Sequence, residues 1–106
     1  MWKVTGQTLT MTEEDFGLAL PITINGAVFA ENDELKLTIK TAMNGDVVLE
    51  KTFANIQQNT ISLEITEAES ELLFVGSYVY SLDWYQDGAF LCNIIPSAQF
   101  KVVDKA

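Results

Sequence analysis

The residues best suited to chemistry in this chain are its carboxylates, which gather in two short acidic runs. Glu13-Glu14-Asp15 and Glu31-Asn32-Asp33-Glu34 each bring several side-chain oxygens close together. Oxygen-rich loops of this kind can hold calcium. Neither run has the spaced ligand positions of a known calcium loop, so both are predicted to be solvated connections between strands. No metal site is assigned.

Nucleophilic catalysis lacks its partner residues. The sequence has no histidine to activate a serine or the single cysteine, Cys92. One cysteine without histidine also cannot build an ordinary zinc site. Paired carboxylates could hydrolyse a glycosidic bond, but 15 acidic residues among 106 make chance pairs inevitable. We therefore expect a protein that is not an enzyme, with no catalytic residues and no cofactor.

A third candidate for chemistry is the aromatic series Tyr78, Tyr80 and Trp84, whose rings could stack on a sugar or a base. Between Gly76 and Tyr85, however, large apolar side chains alternate with smaller or polar ones, which is typical of a strand with one buried face. Asp-Gly after this run supplies the positive φ that a tight hairpin needs. The series is therefore predicted to lie in the core, on the central strand of the fold.

The composition argues against two classes of partner. A net charge of −9, with six lysines and no arginine, repels phosphate backbones, so no nucleic-acid binding is expected. No apolar run approaches the roughly 20 residues of a membrane helix, and no membrane association is expected. Met1-Trp2-Lys3-Val4-Thr5 lacks the apolar segment of a secretory signal. Together with the lone cysteine, this predicts synthesis and folding in the cytoplasm.

Short strands must position all of these residues. Period-2 alternation is clean from Phe16 to Ile24, from Leu35 to Ile39 and from Ile61 to Ile65. Thr66 followed by Glu69 is a capping-box pattern, which predicts one or two helical turns over Glu67 to Leu73. Seven or eight strands in one 106-residue domain predict an all-β, antiparallel sandwich. Its predicted core is Phe16, Leu18, Leu20, Ile22, Leu37, Ile39, Leu63, Tyr78, Tyr80, Leu82, Trp84 and Phe100.

The second face of the central hairpin is predicted to be a protein-interaction patch. A two-residue turn at Asp87-Gly88 would set Asp83 opposite Cys92, while Trp84 and Leu91 would share the core face. Apolar residues then remain on the outer face of the hairpin, which in a sandwich is exposed to solvent. Contiguous apolar patches on a protein surface usually mark interaction sites. Alternatively, the Ala27 to Glu34 segment folds over this face, and a change of one residue in the turn would exchange the faces. The patch comprises Val79, Tyr85, Phe90, Cys92 and Ile94.

Several segments also carry a family resemblance. Thr66-Glu67, the helical turn and Tyr78 together resemble the tyrosine corner of immunoglobulin-like domains, although the Cys–Trp–Cys framework is absent. The chain as a whole resembles immunoglobulin-like sandwich proteins encoded in phage and prophage tail regions of Gram-positive gut bacteria, similar to the N-terminal domain of baseplate upper proteins. The matching segments are residues 8–12, 31–37, 48–51, 63–69 and 74–82, followed by Asp87-Gly88.

This resemblance implies a non-enzymatic structural or assembly protein of a phage or prophage particle, in its tail or baseplate region. It also implies protein partners, either other virion components or further copies of the chain, and association with the virion. The alternative from a different class is a small ligand-binding module for carbohydrate or a cell-surface component. Exposed aromatic rings on a concave surface would favour that alternative.

Overall fold

A computed structural model describes residues 3–5, 7–12, 19–26, 28–42, 44–56 and 59–104. Within them the chain is mostly β, which confirms the predicted all-β class, and a single short helix follows the sixth strand. The elements are β1 (Lys3–Thr5), β2 (Thr8–Thr12), β3 (Ala19–Thr23), β4 (Asp33–Lys40), β5 (Val47–Ala54), β6 (Thr60–Glu64), α1 (Glu67–Ser70), β7 (Gly76–Gln86) and β8 (Ala89–Val103).

The strands form two sheets that close on one core. Six strands make a large sheet in the order β1-β2-β8-β7-β4-β5, and β3 pairs with β6 in a small one. Buried residues of both sheets belong to a single hydrophobic cluster, for example Leu37 and Phe100 from the large sheet and Leu63 from the small one. Two sheets sharing one core give a sandwich-like architecture.

The expectation of an antiparallel fold is wrong for one pair of the described strands. β2 lies parallel to β8, with Leu9 opposite Phe100 and Met11 opposite Val102. All four side chains are buried. The apolar alternation that was read from the sequence specifies which face of a strand is buried, and a parallel neighbour satisfies it as well as an antiparallel one.

The centre of the core lies along β4 and β7. Leu35, Leu37 and Ile39 are fully buried, and the last two lie opposite Leu82 and Tyr80 of β7. The predicted core is confirmed for Leu37, Ile39, Leu63, Tyr80, Leu82 and Phe100.

Four other residues of the predicted core are only partly buried, namely Leu20, Ile22, Tyr78 and Trp84. Tyr78 and Trp84 lie on the six-stranded sheet, whose inner surface the two-stranded sheet is too small to cover, and Leu20 and Ile22 lie on β3 of that small sheet. Phe16 and Leu18, like the acidic run Glu13-Glu14-Asp15, lie outside the described residues.

The predicted capping box is present at α1. Thr66 Oγ1 accepts a hydrogen bond from the Glu69 backbone N–H at 3.2 Å, and Glu69 Oε1 accepts one from the Thr66 N–H at 2.9 Å. Lys51 Nζ on edge strand β5 donates to the same Glu69 oxygen and to the Glu64 carbonyl, both at 2.7 Å. The cap thereby links α1 and the small sheet to the edge of the large one.

Candidate functional site

The central hairpin turns at Asp87 and Gly88. Both residues have positive φ, 51° and 81°, as the twist of a two-residue hairpin turn requires. Gln86 lies opposite Ala89, and Tyr85 lies opposite Phe90. Next to the turn, the hairpin therefore has the register that the sequence predicts.

Beyond Tyr85 the predicted register is wrong. The ladder between β7 and β8 shifts three times, so that Trp84 lies opposite Cys92 and Asp83 opposite Asn93. Each shift places an extra residue in β8, which has 15 residues against 11 in β7. Extra residues of this kind are β-bulges, and one extra residue exchanges the faces of those that follow. Leu91 is the extra residue at the first shift.

Another shift contains Pro96. Because Tyr80 lies opposite Ala98 and Leu82 opposite Ile95, both Pro96 and Ser97 face the single residue Ser81. Proline has no N–H to donate to a ladder, so strands accommodate it at bulges and edges. Pro96 is the sequence signal that would have indicated an irregularity here.

The bulges divide the five-residue interaction patch. Val79 and Tyr85 lie on the outer face of the large sheet, and Phe90 joins them there with 55% of its surface exposed. Cys92 is exposed but lies opposite Trp84, on the side of the sheet that faces the core. Ile94 packs against the hydrophobic cluster. The structure therefore brings together Val79, Tyr85 and Phe90 and leaves Cys92 and Ile94 apart from them.

Tyr85 and Phe90 form an aromatic pair on this outer face. Their ring centroids are 5.8 Å apart with an interplanar angle of 74°, an edge-to-face contact. Lys36 Nζ lies 5.0 Å from the centroid of the Tyr85 ring and 3.6 Å from Glu50 Oε1. Sequence reasoning missed Lys36, because its outward position on β4 gave no sign of the ring beside it. The pair is thus framed by charged groups.

Residues 28–34, the described part of the segment proposed to cover this face, do not cover the aromatic pair. Phe29 packs on Trp84, with ring centroids 4.7 Å apart, and both residues pack against the core cluster. Val28 is 86% exposed. The segment therefore packs on the inner side of the large sheet, and Phe90 stays exposed.

An acidic cleft lies at the end of the molecule where the hairpin turns. It has a volume of about 400 Å³ and is lined by residues 31–34, Ala54, Asp87 and Gly88. The Asp87 N–H donates to the Asn32 carbonyl at 3.4 Å, which holds the two loops together. In the described part of the chain, no three acidic or cysteine side chains are placed to share a metal ion.

The prediction that residues 31–34 are a solvated connection is wrong for Asp33. This residue begins β4 and is only 1% exposed. Its Oδ2 accepts a hydrogen bond from the Ala30 N–H at 2.8 Å, whereas its Oδ1 is buried without a partner among the described residues. A charged residue in an acidic run gave no signal of burial.

A second, apolar cavity of about 230 Å³ lies between the two sheets. Leu9, Leu20, Ile22 and Ile95 form most of its wall, and Tyr80 contributes its ring. The Tyr80 hydroxyl donates to the Gln7 carbonyl, and burial raises the pKa of this hydroxyl. The cavity can hold a small apolar group, and none of the described residues that line it is charged.

The aromatic series does not form an exposed stacking platform. Tyr80 is buried, and Tyr78 and Trp84 pack against the core cluster from the inner face of β7. The Tyr78 hydroxyl donates to the Phe74 carbonyl at 3.0 Å. The prediction that the series belongs to the core is confirmed for Tyr80 and holds in part for the other two.

Comparison with protein-family models, curated proteins and solved structures yields no match for this chain. In the part of the chain that the structure describes, no helix has the length and apolar character needed to cross a membrane.

Proposed function

We propose that this chain is a non-enzymatic assembly protein of a phage or prophage particle, in its tail or baseplate region, acting through protein–protein contacts. The observation that carries the contact is the Tyr85–Phe90 pair on the outer face of the large sheet, in which Phe90 is exposed and Tyr85 partly buried. The assignment to a phage or prophage particle is based on the sequence resemblance. Virion association follows from the same resemblance.

We also propose that the sandwich is immunoglobulin-like. In such folds, strands B and E pair in one sheet, and strands G, F, C and C′ are neighbours in the other. The pairing of β3 with β6 and the order β8-β7-β4-β5 correspond to these two arrangements. The hydrogen bond from Tyr78 to the Phe74 carbonyl corresponds to a tyrosine corner.

The outer face has the composition of a small protein interface. Phe90 and its neighbour Leu91 are 55% and 47% exposed, and aromatic residues dominate the energetics of protein contacts. Glu34 lies beside Tyr85 in the neighbouring strand, and Asp83 and Asn93 are hydrogen-bonded to each other nearby. An apolar centre with a polar rim is the usual anatomy of an interface.

Phe90→Asp tests this proposal against a matched control. Phe74 is 72% exposed and lies before the opposite end of β7, so Phe74→Asp makes the same chemical change away from the outer face. We expect the wild type and the control to self-associate in sedimentation velocity or to co-purify with particles on a density gradient. Phe90→Asp should do neither while keeping its thermal transition.

Two results would overturn the proposal. One is a protein that stays monomeric and is absent from purified particles of the source bacterium. The other is an equal loss of association in both variants, which would mean that any added charge disrupts it. A coding region far from tail and capsid genes would also count against the particle.

A ligand-binding module for carbohydrate or a cell-surface component is the second candidate from the sequence. It has less support, because sugar recognition uses exposed ring faces and the rings of Tyr78, Tyr80 and Trp84 pack on the core side. Among the described residues, the apolar cavity between the sheets is lined mainly by apolar side chains, which do not supply the convergent polar groups that fix a sugar. Binding of glycans that depends on Phe90 would favour this candidate instead.

A further inference from the structure

We propose that the partner of the outer face is a second copy of this chain, with the two large sheets packed face to face about a twofold axis between β4 and β7. In this dimer Lys36 of each copy contacts Asp83 of the other copy. The inference rests on the proposed function, because it uses the same contact surface, and it goes further by naming what binds there.

The first argument is the distribution of charge. Among the side chains that the structure describes, the outer face holds three lysines and three carboxylates, which are Glu34, Lys36, Lys40, Glu50, Asp83 and Lys101. The other described charges are nine carboxylates and one lysine, Lys51. Two copies of a chain with a net charge of −9 repel each other. The repulsion is smallest at the outer face, because the charges there balance.

The second argument is the order of the charges along β4 and β7. Lys36 lies opposite Asp83, and Thr38 lies opposite Ser81. Residues opposite each other share a face of the sheet, and two packed sheets keep their strands roughly aligned. A twofold axis that runs along the strands, midway between β4 and β7, therefore sets Lys36 over Asp83 of the other copy. The same symmetry forms this ion pair twice in each dimer.

The remaining positions of the two strands fit the same axis. It sets Glu34 over Tyr85 of the other copy and Lys40 over Val79, since these residues are also opposite each other within one sheet. Like charges of β4 and β7 are therefore not opposed. Like-charge contacts are costly at an interface, whereas complementary charges fix the register of two partners. The outer face is in this sense complementary to itself.

The third argument is the place that this axis gives to the aromatic pair. Phe90, Tyr85, Glu34 and Ala54 lie side by side on β8, β7, β4 and β5. The axis reverses this row in the other copy, so Phe90 lies over Ala54. The side chain of Ala54 is exposed and small, which leaves room for the ring. An exposed aromatic residue that fills a recess on its partner is a common anchor of protein interfaces.

Both members of the proposed ion pair are held in place within each copy. Lys36 Nζ lies 3.6 Å from Glu50 Oε1 and 5.0 Å from the centroid of the Tyr85 ring. Asp83 Oδ1 accepts a hydrogen bond from Asn93 Nδ2. Lys36 and Asp83 are also partly buried in the single copy. Side chains that are already ordered lose less conformational entropy when they form a contact.

A charge swap tests the dimer in sedimentation velocity of the full chain. We expect the wild type to dimerise, and Lys36→Glu and Asp83→Lys each to raise the dimer Kd by about tenfold or more, because each change creates two like-charge contacts. The double variant Lys36→Glu with Asp83→Lys restores opposite charges across the axis and keeps the net charge. Its Kd should return to within about threefold of the wild type.

Lys101→Glu is the matched control. It makes the same change of charge on the same face, but Lys101 lies opposite Ser77, beyond the part of β7 that pairs with β4. Its Kd should change by less than about threefold, because its charge is far from the pair and is screened by salt. Lys36→Gln adds no acid beside Glu50, and it should weaken the dimer less than Lys36→Glu does. Thermal transitions show that each variant is folded.

Two results would overturn the inference. One is a wild type that stays monomeric at the highest concentration that can be measured. If such a chain still co-purifies with particles and loses them in Phe90→Asp, the proposed function stands and the partner is another protein. The other result is equal weakening in Lys36→Glu and Lys101→Glu without recovery in the double variant, which would mean general repulsion. A charge-swap recovery in a chain that is absent from particles would support the dimer and contradict the particle.

Discussion

The two ladders on either side of β7 differ in regularity. Towards β4, eight consecutive residue pairs run from Asp33–Gln86 to Lys40–Val79 without a shift. Towards β8 the register shifts three times. The regular side contains Leu35, Leu37 and Ile39, all fully buried, whereas the shifted side leaves Phe90 and Leu91 about half exposed.

The difference shows how the apolar residues of one strand, β8, can be divided between the core and the surface. An unbroken ladder keeps every second side chain on the same face, so the apolar face of β4 and β7 stays continuous. Each bulge in β8 moves the following side chains to the other face. Apolar residues of β8 are thereby distributed between the core, the outer face and the strand edge.

Cross-linking to the native Cys92 gives the sharpest test of the shifted register. Trp84→Cys places a second thiol directly opposite Cys92, at a separation that a disulfide can bridge, whereas Asp83→Cys places it on the other face. We expect mild oxidation to give near-complete intramolecular cross-linking in Trp84→Cys and only background in Asp83→Cys. Mass spectrometry of proteolytic peptides measures the cross-linked fraction. The opposite outcome would restore the regular register that the sequence predicts.

Truncation of one leucine on each side of β7 should separate the two ladders in stability. Leu37→Ala removes a fully buried side chain between β5 and β7 and should lower the free energy of unfolding by about 3 kcal/mol. Leu91→Ala removes a half-exposed bulge residue and should cost less than about 0.5 kcal/mol. Urea denaturation measures both. Similar losses would mean that the bulged region is packed as tightly as the centre.

Two tyrosine hydroxyls should show smaller effects. Tyr80→Phe leaves the Gln7 carbonyl without its donor at a partly buried site and should cost about 1–1.5 kcal/mol in thermal or urea unfolding. Tyr78→Phe removes the bond to the Phe74 carbonyl at an exposed site and should cost about 0.5–1 kcal/mol. The loss of stability in Tyr78→Phe tests the tyrosine corner. A Tyr78→Phe variant with an unchanged free energy of unfolding would mean that this hydrogen bond does not stabilise the fold.

The smallest expected effect is a dependence of stability on pH from Glu69. Burial alone raises the pKa of this carboxyl, but hydrogen bonds from Lys51 and from the Thr66 N–H outweigh it, so the pKa falls below its ordinary 4.5. A lowered pKa in the folded state gives stability above the unfolded pKa that is lost as the pH falls through the folded value.

Glu69→Gln should therefore lose a few tenths of a kcal/mol at pH 7, as is usual for ion pairs near the surface, and less at pH 3. Lys51→Met is the matched change on the other side of the pair, and it should reduce the same pH dependence. Urea denaturation at both pH values measures it. If the free energies of unfolding of the wild type and Glu69→Gln differ by the same amount at pH 3 and pH 7, the ion pair is not the cause of the pH dependence.

Features encoded in neighbouring residues could be predicted from the sequence. The alternation of β4, the Asp87-Gly88 turn and the capping box at Thr66 and Glu69 all appear where the local pattern places them. The direction of β2 against β8 could not be predicted, because alternation does not encode whether a neighbour is parallel.

The candidate site was predictable only as far as the ladder stays regular. Tyr85 and Phe90 are adjacent to the turn, before the first shift, and they lie where the two-residue turn puts them. Cys92 and Ile94 lie beyond the first shift. Among the bulges of β8, only the one at Pro96 has a residue type that indicates an irregularity in the sequence. The burial of Asp33 depends on loops that meet only in the folded chain.

The parallel pairing of β2 with β8 has a consequence for synthesis on the ribosome. Leu9 and Met11 are made before β3 to β7, whereas the residues that lie opposite them, Phe100 and Val102, follow all of those strands. Contacts between distant parts of a chain form slowly, since a long loop must close first. The nascent chain therefore carries β2 without its β8 neighbour until the strands between them have been made, and the large sheet closes only after β8 has left the exit tunnel.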